Sequence, residues 1–137
     1  MTHLTELINH HIVTAEVLYK DWKKSRDVID HQVEQLEFLS LKYYPACEWY
    51  FQHDYPFKHP SIEAEAYFGP ILGYDEQKND LYVYHVMDMN VKRINLDTNT
   101  KTVVSFTELV NEGFYEDACT GFSHIEVLTD FQLDHQL

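Results

Sequence analysis

All of the chain's glycines and prolines, four of each, lie between Pro45 and Gly121. The first 44 residues therefore carry no strong helix breaker, which predicts helix over that stretch. Within it, Leu4, Ile8, His11, Ala15, Leu18 and Trp22 recur at alternating spacings of four and three, an amphipathic stripe. Thr2 or Thr5 is placed to cap its start. A second stripe, Ile29, Val33, Leu36, Leu39 (or Ser40) and Tyr43, follows Ser25 or Asp27. It should stop by Tyr44, because proline disfavours helical geometry in the residue before it. The polar segment 20–26 is the expected reversal into an antiparallel helix pair, with one continuous helix as the alternative.

Residues 43–57 gather seven of the 20 aromatics among Pro45, Pro56 and the nearby Pro60. Proline suits the first turn of a helix, so Pro45 to about Phe51 reads as a short helix and the remainder as loop. From Ile62 the period changes to two: Ile62, Ala64, Ala66 and Phe68 alternate with Glu63, Glu65 and Tyr67, and Ile71-Leu72 carries this strand on. Asp75–Asp80 is a polar turn. Leu81–Met87 is bulky on both faces, like a central strand, and Val91–Leu96 and Thr102–Phe106 flank a hairpin signal at Asp97-Thr-Asn-Thr-Lys101. Thr107 would cap a short helix that ends before Gly113. Tyr115–Cys119 then reads as one more turn and Ser123–Thr129 as a last strand. No internal repeat is apparent.

Helices first and strands afterwards indicate an α+β fold. The expected architecture is an N-terminal antiparallel helix pair packed on a mainly antiparallel sheet of about 4–6 strands, with one or two short helices. At 137 residues it is a single domain, 1–137: a helical region over 1–44, an aromatic and proline-rich connection over 45–60, and a sheet-rich acidic region over 61–137.

Charge narrows the function. The formal net charge is −13, of which residues 61–137 hold 14 acids against four bases, and no Lys or Arg follows Lys101. Attraction to nucleic acid or to an anionic membrane is thereby disfavoured, since both are negative. No secretory leader and no apolar run of membrane-spanning length is visible, so a cytoplasmic protein with reduced thiols is expected.

Motifs for chemistry are sparse. The glycines are too scattered for a phosphate-cradling loop, and no nucleophile elbow or zinc-deaminase signature is present. His10, His11 and His31 lack the i, i+4 spacing of a helical metal pair, so no metal and no cofactor is expected. Cys47 and Cys119 fit no metal-finger spacing and read as small core residues ahead of nucleophiles. Glu63 and Glu65 share a strand face, a separation a glycosidase could use, although paired glutamates are also ordinary solvent-facing patterning. His53-Asp54 and His59 could serve as base, orienting acid or ligands, or fill polar loop positions.

Two functions survive. The first is an acidic protein-binding module: an immunity- or antitoxin-type inhibitor of a basic bacterial toxin such as a nuclease, acting through a carboxylate- and tyrosine-bearing face. Its candidate residues are Glu108, Glu112, Tyr115, Glu116 and Asp117, with Asp75, Glu76 and Asp80 in the polar turn. The alternative is a small enzyme or ligand-binding domain whose aromatic pocket lies between helices and sheet, lined by Trp49, Tyr50, His53, Tyr55, His59 and His85. Either could be a monomer or a homodimer.

Overall fold

The computed structural model describes residues 26–136, with side chains through Ile125. The stripe over residues 4–22, residues 20–25 of its expected reversal and His10 and His11 lie outside the described residues.

Residues 26–42 form helix α1, and Tyr43 separates it from α2 (Tyr44–Gln52). Pro45 sets the break, because it has no N–H to continue the helical ladder and is tolerated only in a first turn. Asp54, at φ 55°, closes α2 in the left-handed region that Asn and Asp tolerate better than most residues. The loop that follows holds a short strand, β1 (Phe57–Lys58), paired antiparallel with β2 (Glu65–Ala66). The alternation from Ile62 to Phe68 is thus only briefly hydrogen-bonded as strand. Its inward side still packs: Ile62, Ala64 and Ala66 cover Ile71, Leu81 and Val83 on the outer face of the main sheet.

The main sheet is an antiparallel meander of four strands, β3 (Ile71–Asp75), β4 (Asp80–His85), β5 (Asn90–Asn95) and β6 (Lys101–Val104). It carries a repeat at ten-residue spacing that the side-chain identities conceal. Asp75, His85 and Asn95 end successive strands, and each accepts the backbone N–H three residues on, from Lys78, Asp88 and Thr98 at 3.3, 3.3 and 2.9 Å. Asn79, Met89 and Asn99 then stand at positive φ, 56°, 53° and 61°. A side-chain acceptor at the start and a left-handed residue at the end make the same hairpin connection three times.

Tyr82, Tyr84, Val91 and Val104 on the inner face pack against Leu36 of α1, Cys47 and Tyr50 of α2, and two further helices. These are α3 (Phe106–Asn111), with Leu109 and Val110, and α4 (Tyr115–Gln136), with Ala118, Phe122 and Ile125. Ser105, not Thr107, caps α3: its Oγ accepts the Glu108 N–H at 3.1 Å. Gly113 follows at φ +90°. The last expected strand, Ser123–Thr129, is instead part of α4. Ala118, Phe122 and Ile125 recur at four and three and all point into the core, and that stripe outweighs the local alternation. Gly121 lets α4 lie directly on β3, since a Cβ there would sit 1.9 Å from the Ile71 carbonyl oxygen. The chain is α+β, with antiparallel sheets of four and two strands.

Candidate functional site

In a meander the first and third connections fall at the same end of the sheet. Here they are joined: the Leu96 N–H donates to the Asn79 carbonyl at 2.9 Å, and Asn79 Nδ2 donates to Asp97 Oδ1 at 2.9 Å. Tyr74 Oη in turn donates to Asn79 Oδ1. Beside this end run the loop residues 61–64 and the first turn of α4. Together they enclose a groove of about 500 Å³. Its lining includes Ile62, Ala64, Leu96 and Tyr74, and its acids are Glu63, Glu76 and Asp117. Among the described residues no Lys or Arg lines it. An apolar lining shared with three acidic residues fits a long cationic side chain, whose stem is apolar and whose head is charged.

A buried histidine adjoins the groove. His59 is 6% exposed. Its Nδ1 accepts the Ser61 N–H at 3.0 Å, so its Nε2 carries the proton and donates to the Asp117 carbonyl at 2.9 Å. One ring therefore ties two walls of the groove together.

The candidate acids divide. Glu76, from the polar turn, and Asp117, from the C-terminal set, meet in the groove, joined by Glu63. Asp75 accepts the Gln77 and Lys78 N–H groups and shapes its turn. Asp80 is 7% exposed and accepts from Asn95 Nδ2 at 3.0 Å, which withdraws it from any docking face. Glu112 accepts the Tyr82 hydroxyl at 2.7 Å. Burial, then this carboxylate, push the Tyr82 phenol up to about 12, against the opposing pull of Arg93. Glu108 lies in the first turn of α3, and Glu116 and Asp117 in that of α4, where the unpaired N–H groups of a helix favour negative charge. Tyr115 is half-buried, with its hydroxyl beside Cys119.

The residues of the alternative pocket are largely occupied with one another. Trp49 stacks on His53 at 4.3 Å and on Tyr55 at 5.3 Å between ring centroids, and Tyr50 packs edge-on against both Trp49 and Tyr55. His53 Nδ1 donates to the Trp49 carbonyl at 2.8 Å, so this ring closes α2. His85 belongs to the middle hairpin and stacks on Phe68 at 5.2 Å. Neither cysteine is poised as a nucleophile. Burial pushes the Cys47 thiol up to about 12 and raises that of Cys119, so both stay protonated near neutrality.

Sequence reasoning missed Tyr74 and Leu96 as groove residues, and it weighed Glu63 only as half of a carboxylate pair. The turn residues Asp75, Asn79, Asn95 and Asn99, at spacings of twenty, were the signal that could have placed two connections side by side. No helix among the described residues is long and apolar enough to cross a membrane. Comparison with protein-family models, with curated proteins and with solved structures finds no match.

Proposed function

We propose that the protein is an acidic protein-binding module of the immunity or antitoxin type, which blocks a basic bacterial toxin, nuclease-like in its surface charge, by seating cationic side chains in the groove. The observation that carries this reading is that Glu63, Glu76 and Asp117 line one groove together with the apolar Ile62, Ala64 and Leu96. An enzyme that acts on a polyanion presents positive charge around its active centre, and carboxylates can occupy the places its substrate's phosphates would take. An arginine stem would lie along the apolar lining with its guanidinium among the acids. The net charge of −13 would speed the encounter by steering.

The test is affinity capture from the native cell at low salt, with three baits. One is the unmodified protein, one carries E63Q, E76Q and D117N, and one carries D30N, E34Q and E37Q on the exposed face of α1. The two variants lose the same charge at different places. The expected result is a stoichiometric basic partner held by the first and third baits and lost from the second. Its affinity should fall by roughly tenfold or more between about 0.05 and 0.5 M salt. Capture of no stoichiometric protein, or equal retention by all three baits, overturns the reading.

A further inference from the structure

His59 borders the hollow that adjoins the groove and touches no groove acid's side chain in the hydrogen bonds it makes; both ring nitrogens go to backbone, one to each of two groove-lining segments that the chain brings together from 58 residues apart. Ser61 and Asp117, which supply those backbone groups, both line the groove. We infer that His59 is the positioning residue of this groove and its proton-sensitive element: the neutral ring holds residues 59–64 against α4, and a second proton releases them and weakens the binding of cations.

This inference rests on the groove being the binding site. The argument is one of donors and acceptors. The neutral ring offers one of each, and the site supplies their complements, an N–H at Ser61 and a carbonyl at Asp117. A second proton can enter only at Nδ1, the atom the Ser61 N–H already addresses. Two donors then face each other on a ring that is 6% exposed, and an unmade buried hydrogen bond is expensive. The ring cannot turn away freely, because α4 lies against it: a Cβ on Gly121 would sit 3.4 Å from His59 Cδ2.

The charged and titratable groups around the ring come from both segments. Lys58, Glu63 and Glu65 border the adjoining hollow on its own side. From α4 come Asp117 and His124, and burial, then the neighbouring His59, hold the His124 pKa below the ordinary imidazole range. The residue of β3 that meets this region, Ile71, is uncharged. The carboxylates offer nothing to satisfy an Nδ1–H pointed at Ser61.

The test follows His59, the amide of Ser61 and the amides of 115–121 by NMR between pH 8 and 5, and in parallel measures binding of a nona-arginine peptide, which does not titrate in that range. The proteins are the unmodified chain, H59Q, which keeps a donor toward Asp117 without titrating, and H59N, which keeps an acceptor toward Ser61. The expected ring at pH 8 is the Nε2–H tautomer. As it is protonated, the Ser61 and α4 amides should shift with the same midpoint, and peptide affinity should fall about fivefold, the loss expected for one hydrogen bond. At least one of H59Q and H59N should bind with little pH dependence. Amides that stay still while His59 titrates overturn the inference, whatever the peptide does, and so does undiminished pH dependence in both variants. If the amides move and the peptide binds at no pH, the basic-partner reading falls while the role of His59 stands.

Discussion

Met89 holds in the second hairpin the left-handed backbone position that Asn79 holds in the first, at φ 53° against 56°. Asparagine tolerates this region because its short polar side chain bonds locally, whereas methionine gains nothing there. The Met89 side chain is mostly exposed, so little packing is lost on replacing it. Met89→Asn should therefore stabilise the protein by about 0.5–1 kcal/mol, and Met89→Val, β-branched, should destabilise it. Thermal unfolding of both variants checks this. A melting temperature unchanged or lowered by the asparagine would show that the position is not strained.

Gly121 tests the seat of α4. A methyl group at this position meets the Ile71 carbonyl at 1.9 Å, and that carbonyl belongs to backbone that cannot swing aside as a side chain would. Although alanine is the better helix former by about 1 kcal/mol, Gly121→Ala should destabilise by roughly 2 kcal/mol or more, because the helix must lift from the sheet. Denaturant unfolding gives the number. Stability equal to or above that of the parent would mean that α4 does not lie on β3 as described.

That glycine also marks where the sequence misled. Read alone it breaks a pattern, and the Ile125, Val127, Thr129 alternation after it looks like a strand. In the fold it is a point of close approach inside a helix, which only the opposing Ile71 carbonyl explains. The helical stripe from Ile29, the proline-led helix at 45 and the change to strands at Ile62 were legible because each is a local periodicity. The hairpin repeat was not, because the same backbone geometry is made by Asp, His and Asn at one position and by Asn and Met at the other. The groove was less legible still. Glu63, Glu76 and Asp117 are adjacent only once the meander folds its first and third connections together and α4 docks beside them, and no local pattern encodes that.

Cys47 should be unreactive in the folded protein. Its thiol is buried in the core between helices and sheet, and burial raises its pKa to about 12, so at pH 8 almost none is thiolate. Cys119 is only half-buried, though its pKa is also raised. A thiol reagent such as dithionitrobenzoate at pH 8 should modify Cys119 slowly and Cys47 only on unfolding. Fast stoichiometric labelling of Cys47 under native conditions would contradict the packing of α2 and reopen the case for thiol chemistry.

His85 makes the middle hairpin sensitive to acid. Its Nδ1 accepts the Asp88 N–H, the role played by carboxylate and amide oxygens at Asp75 and Asn95. Burial first, then the Lys92 and Lys101 charges, hold its pKa below the ordinary value, with the Asp88 carboxylate opposing them. The sign follows from linkage. The unfolded chain takes up this proton at a higher pH than the folded one, so the stabilisation is complete above the unfolded value of about 6.5 and is lost as pH falls through it. Melting temperature should thus decline between pH 7.5 and 5. His85→Asn places the residue of the third hairpin in the second, keeps the acceptor and removes the titration. It should flatten some of that decline while costing a modest amount at pH 7.5 through the lost stack on Phe68. A His85→Asn protein whose melting curve follows the parent's at every pH would show that this hairpin does not sense the proton.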